Sequence, residues 1–192
     1  MPQPGELRVS LAKEAAAASA THNQARPLVA RKVEGDFELT VRITHTPPDA
    51  KELTVVGRGD PDASAGIALH SADDPKTTLV LLARQCQEDG TWVSRFSMFS
   101  RHGNGKKGSD GGTADEKLIV QPVYLRRNRR GEEFTCAKSL DGKTWSSMFG
   151  TAQNLPGVGA VVVGPVAVHN TNTKYDVTFD EYTLTSPAEK KK

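Results

Sequence analysis

Cysteine is nearly missing from this chain: 192 residues hold two, Cys86 and Cys136. Two thiols allow one bridge at most and exclude both a disulfide framework and a four-cysteine zinc site. Two buried free thiols are the expectation, because unpaired cysteine packs as a small hydrophobe. Long apolar runs are absent too. Nothing approaches the roughly 18 residues of a membrane-spanning helix, so no membrane partner is expected. Charge of one sign is equally scarce: 25 Lys and Arg stand against 23 Asp and Glu, a net charge of +2. That excess is too small for a general polyanion binder, so a nucleic-acid partner is not expected. Residues 1–20 lack an apolar signal-peptide core. The chain as written therefore has no secretory signal: cytoplasmic as it stands, extracellular if it is a piece of a longer protein.

What is there is alternation. With 36% apolar residues, the length suits one domain with one core, expected over residues 6–186, with 1–5 and 187–192 as flexible termini. Residues 5–11 (GELRVSL) alternate polar and apolar, and the alanine-rich stretch 12–20 suits a helical turn. After the Gly35-Asp36 turn, Phe37, Leu39, Val41 and Ile43 alternate with polar partners until Pro47-Pro48, which marks a half-buried strand. Residues 65–70 (AGIALH), 77–85 (TTLVLLARQ) and 91–100 (TWVSRFSMFS) are extended, with Asp89-Gly90 as a hairpin turn, and form a meander. Residues 101–117 carry five glycines and almost no apolar side chains, which predicts a long surface loop. Residues 118–127, 133–138 and the turn at Asp141-Gly142 that leads to Trp145 form a second meander. Runs at 158–169 and 174–185 complete the pattern. Short strands between Gly and Asp turns, with no long 3.6-residue period, predict an all-β sandwich or barrel.

Several segments, taken in order, resemble the concanavalin A-like lectin/glucanase domains, and within them the bacterial group described as regulation of enolase protein 1-like. They are ARPLVARKVEGDFELTVRI (25–43), AGIALH (65–70), VYLRRNRRGEEFTCAKSLDGKTW (123–145), VGPVAVHN (163–170) and VTFDEYTL (177–184). The resemblance implies an antiparallel two-sheet jelly roll, a fold in which many members bind carbohydrate on a concave face. Related domains usually carry one more strand before the GELRVSL segment, which suggests a chain that starts inside a longer protein.

The motifs are weak individually. SLDGKTW (139–145) is close to a sialidase Asp-box, but it is one residue short and occurs once. Its expected role is structural: Asp141 bonds nearby amides, Gly142 supplies a positive φ, and Trp145 pins the hairpin to the core. GNGKKG (103–108) fits a nucleotide-loop pattern without the helix that such a loop needs. Arg126, Arg127, Arg129 and Arg130 crowd a hairpin tip, where they form a solvated turn or bind an anion. On a strand, however, Arg126 and Arg127 point to opposite faces. Arg58-Gly59-Asp60 is treated as an ordinary loop. The five histidines have no metal-ligand spacing and are expected at or near the surface, and Asp176, Asp180 and Glu181 are not expected to hold calcium. No metal or cofactor is assigned.

Glycosidases need two carboxylates set several ångströms apart across the scissile bond. The fold's glucanase branch carries an E-x-D-x-x-E strand that this chain lacks. Glu132-Glu133 and Asp180-Glu181 are adjacent pairs, whose side chains should diverge. No activated nucleophile is recognisable either, so a catalytic site is not assigned.

The leading expectation is a non-catalytic ligand-binding domain with a glycan partner. If Ile67, Leu69, Val123, Leu125, Phe134 and Cys136 face the core, then His70, Tyr124 and Arg126 face away from it, joined by Arg84, and Trp92 follows a turn. These five are the candidate contacts, through ring stacking and oriented hydrogen bonds. The alternatives are a protein-interaction or accessory sandwich without a small ligand, and a glycoside hydrolase with an unrecognised carboxylate pair.

Overall fold

The computed structural model describes residues 5–11, 28–46, 62–74, 76–88, 91–101, 110–119, 122–148, 153–169 and 174–186. Among these there are thirteen strands and no helix: β1 Leu7–Leu11, β2 Arg31–Val33, β3 Phe37–Thr46, β4 Asp62–Ser71, β5 Thr78–Glu88, β6 Thr91–Arg101, β7 Asp110–Ile119, β8 Val123–Arg130, β9 Glu133–Ser139, β10 Ser146–Ser147, β11 Gln153–Asn154, β12 Val161–His169 and β13 Tyr175–Thr185. They form two sheets. One runs β1-β13-β3-β8-β9-β10, with β11 also on β9, and the other runs β2-β12-β4-β5-β6-β7. Every pairing is antiparallel, so the expected two-sheet sandwich is the observed fold.

The core lies between the sheets because strand alternation puts one apolar set on each inner face. Phe37, Leu39, Val41 and Ile43 of β3 meet Ile67 and Leu69 of β4 and Leu79 and Leu81 of β5 in a single buried cluster. Each such side chain contributes roughly 1.5–3 kcal/mol by leaving water. Val123, Leu125, Phe134 and Cys136 also face inward, as expected. Cys136 is a free buried thiol; the side chain of Cys86 lies outside the described residues.

Two departures come from the middle of the chain. Residues 118–127 are not one strand. β7 ends at Ile119 in the six-stranded sheet and β8 starts at Val123 in the other, with Pro122, which has no N–H for a ladder, just before it. Part of the expected glycine-rich loop is strand as well: β6 extends to Arg101, and β7 starts at Asp110 and pairs with β6 through two register shifts. Ladders are made by backbone groups that every residue except proline carries, so a shortage of apolar side chains does not forbid an edge strand. Residues 102–109, the expected helical turn at 12–20, the Arg58-Gly59-Asp60 stretch, the Asp89-Gly90 turn and the tail from 187 lie outside the described residues.

The histidines also differ from expectation. His45 and His169 are buried, because both occupy inward positions at one end of the sandwich. There the Tyr175 hydroxyl lies 2.6 Å from His45 Nδ1, and the His169 and Tyr175 rings are 6.1 Å apart.

Candidate functional site: the outer face of the seven-stranded sheet

Antiparallel register builds this face in rows. Asp180 pairs with Arg42, Arg42 with Tyr124 and Tyr124 with Ser139, so four outward residues from β13, β3, β8 and β9 lie side by side. The next row is Thr183, Thr40, Arg126 and Ala137.

Between these rows β13 bulges. The register shifts between Asp180 and Thr183, and Glu181 takes φ 47°, the only positive φ at a non-glycine residue among those described. An extra residue re-aims the side chains around it. Asp180 and Glu181, adjacent in sequence and expected to diverge, therefore share one guanidinium: Arg42 Nη1 is 3.5 Å from Asp180 Oδ2 and 3.6 Å from Glu181 Oε1. A left-handed backbone at a glutamate is costly, and such conformations collect at functional sites.

Tyr124 donates its hydroxyl to Glu181 Oε1 at 3.0 Å. Its ring meets that of Trp145 edge to face, with centroids 6.5 Å apart and planes at 76°. Arg126 lays its guanidinium over the Trp145 ring, 3.6 Å from the centroid, a cation–π contact. Its Nε is 3.4 Å from Thr40 Oγ1 and 3.6 Å from Glu38 Oε1. Burial pushes the Tyr124 phenol above its ordinary value, helped by the hydrogen bond to Glu181. Burial also holds the Asp180 carboxyl above the usual carboxylate range, against the pull of Arg42, with Glu181 and Glu6 adding to the rise.

The β9–β10 turn brings Trp145 here. Asp141 Oδ1 accepts from the amides of Lys143 and Thr144 at 2.8 and 2.7 Å, and Ser139 Oγ accepts from the Gly142 amide at 2.9 Å. Gly142 adopts φ +71°, and a Cβ there would sit 3.0 Å from Cζ of Tyr124. Asp141 and Gly142 thus act as expected, whereas Trp145 does not pin the hairpin to the core. It is half-buried on the outer face, because the tight turn carries it over Tyr124 and Arg126. Although the motif occurs once, its bonding recurs. At the β4–β5 turn Ser71 Oγ accepts from the amides of Asp73 and Asp74, and Asp74 accepts from the Lys76 amide and the Thr77 hydroxyl.

Of the five expected contacts, the structure brings Tyr124 and Arg126 together. His70 on β4, Arg84 on β5 and Trp92 on β6 belong to the other sheet. The half-buried His70 places Nδ1 3.0 Å from the carbonyl of its neighbour Ser71, and the side chains of Arg84 and Trp92 lie outside the described residues. Arg42, Trp145 and Glu181, which the structure sets beside Tyr124 and Arg126, are not among the expected contacts. Tyr124 and Trp145 share one motif-bearing segment, which was the available signal; the bulge that aims Glu181 has none. The arginine cluster divides, with Arg127 and Arg129 buried in the interior, so it is neither a solvated turn nor a converged anion site. Asp176 accepts from Ser10 at 2.6 Å and Lys174 at 2.9 Å. Among the described residues no group of three or more His, Cys, Asp or Glu side chains is arranged to hold a metal.

No family model and no curated protein matches the chain. Solved structures do. A functionally unknown protein from Saccharomyces cerevisiae is similar at 20% identity and TM-score 0.67, over 97% of this chain and 91% of that one. A xylan β-1,4-xylosidase from Bacillus halodurans is similar at 14% identity and TM-score 0.58, over 96% of this chain and 33% of its own, so the chain spans about a third of that enzyme. The PL7 alginate lyase AlyA1 from Zobellia galactanivorans is similar at 12% identity and TM-score 0.53, over 94% and 77%. These likenesses show the fold alone, a sandwich of two antiparallel sheets.

Proposed function

We propose that this chain is a carbohydrate-binding sandwich without catalysis of its own, in the regulation of enolase protein 1-like group, and that its ligand seats on the outer face of the seven-stranded sheet. The observation that carries this reading is the aromatic pair Tyr124 and Trp145, set edge to face and flanked by Arg42 and Arg126. A sugar offers an apolar C–H face for a ring and hydroxyls for charged groups, and this patch supplies both kinds of partner. Xylan and alginate, named for two of the similar structures, support a glycan as the class of ligand. The group assignment is supported by the ordered segments from residue 25 to 184.

A glycan array on the folded domain, repeated with chelator, is the test. Consistent binding that Tyr124→Ala and Trp145→Ala abolish is the expected result. A blank array on folded protein overturns this reading and favours a protein-interaction role.

One observation favours a hydrolase as the second reading: Asp180 and Glu181 share a face, and the Asp180 carboxyl is raised as a general acid's would be. Both are held by Arg42, however, which supports binding over proton transfer. Release of reducing sugar from a polysaccharide panel, lost in Asp180→Asn, would establish the hydrolase instead.

A further inference from the structure

Resting on the carbohydrate reading, we propose that this face is selective for uncharged glycans and rejects uronate- or sulfate-bearing ones, because both guanidiniums beside the aromatic pair are already committed to carboxylates of the chain itself. Arg42 Nη1 is within 3.6 Å of oxygens from both Asp180 and Glu181, and Arg126 Nε is 3.6 Å from Glu38 Oε1 while its plane lies on Trp145. Two cations thus face three carboxylates. An acidic sugar reaching for either guanidinium would approach at least one of those carboxylates, and like charges at such range repel. Its own bond to arginine, the usual device for recognising anionic groups, would form beside these carboxylates and against their repulsion.

An uncharged sugar meets the opposite situation. The acceptors that solvent reaches here are carboxylates: the Glu181 and Glu38 side chains keep 56% and 36% of their surface exposed. Hydroxyl groups are donors that carboxylates favour, and a neutral ring brings them without added charge. The upward displacement of the Asp180 carboxyl by burial, Glu181 and Glu6 is a second sign that this patch already opposes further negative charge.

The test is calorimetric titration of the folded domain with neutral xylo- and gluco-oligosaccharides and with oligouronates of matched length, each at low and high salt. Neutral ligands should bind at least about tenfold tighter, and their Kd should move less than about twofold with salt, because no ion pair forms on binding. Glu38→Gln, and independently Glu181→Gln, should each release a guanidinium and raise oligouronate affinity at least about threefold, an increase that salt suppresses. Oligouronates binding the wild type as tightly as neutral sugars, with Trp145→Ala abolishing both, would overturn the selectivity and leave the carbohydrate reading standing. No binding of either class, with the domain folded by thermal unfolding, would overturn both.

Discussion

The two faces of the β8–β9 hairpin treat the same side chain in opposite ways. Arg126, facing out, keeps a quarter of its surface in solvent and is held by a ring, a hydroxyl and a carboxylate. Arg129, facing in, donates to the carbonyls of Gly131, Val158 and Gly159 and lies over the Phe134 ring, so it fastens the loop before β12 to the hairpin. Burial lowers its pKa, as it does that of Lys138, whose Nζ is 4.6 Å from the Phe96 ring centroid. Arg127 is the extreme case. It is 0% exposed; among the described residues its Nη1 touches only Cys136 Sγ at 3.1 Å and Met98 Sδ at 3.8 Å, and its Nε and Nη2 have no partner. An arginine satisfied by carbonyls is structure; one held by an aromatic face and a carboxylate at the surface remains able to meet a ligand.

The comparison can be broken at Arg129 first. Arg129→Met should leave three carbonyls without their donor and destabilise the domain by about 3 kcal/mol, read as a lower urea midpoint, with glycan binding unchanged. Arg127→Met should do the reverse. Removing a buried cation that lacks an acidic partner among the described residues, with a side chain of similar length in its place, should stabilise by about 1–3 kcal/mol; a clear loss of stability would show that the contacts of the guanidinium matter more than the burial cost.

Gly142→Ala links turn and site. An alanine at positive φ costs roughly 1–2 kcal/mol, and its methyl would push the Tyr124 ring, so binding should weaken along with stability. Trp145→Ala sharpens the contrast from the outside. It should change stability by under about 1 kcal/mol, since it removes a half-buried ring from the solvent face, while abolishing glycan binding.

The smallest effect is at acid pH and has two signs. The amides of Thr144 and Lys143, with the Ser139 hydroxyl, hold Asp141 well below the ordinary carboxylate value of 3.8. It therefore contributes stability above that value, lost as the pH falls below it. Asp180, displaced upward, contributes in the other sense: its stabilisation is present below 3.8 and lost as the pH rises through its folded value. Asp141→Asn should flatten the acid limb of a pH–stability profile and Asp180→Asn should steepen it.

Much of the architecture was legible from local signals. Alternation at Phe37, Leu39, Val41 and Ile43, or at Val123 and Leu125, names the inward residues because the side-chain period of a strand is two whatever it pairs with. The same rule separated Arg126 from Arg127. The Asp141-Gly142 turn was legible too, since its hydrogen bonds lie within a few residues of one another. Which strands become neighbours was not. Arg42, Tyr124 and Asp180 come together only through the β13-β3-β8 order, and that order depends on contacts between residues far apart in the chain. Alternation says that His70 and Tyr124 both turn from the core, but only the sheet assignment puts them on different sheets. The bulge at Glu181 is likewise invisible locally, because a register shift is a property of two strands. The sequence by itself determined the all-β class, the inward set and the turns, all functions of short-range periodicity; the tertiary structure alone decided which residues share the candidate site, which is assembled from four strands by non-local pairing.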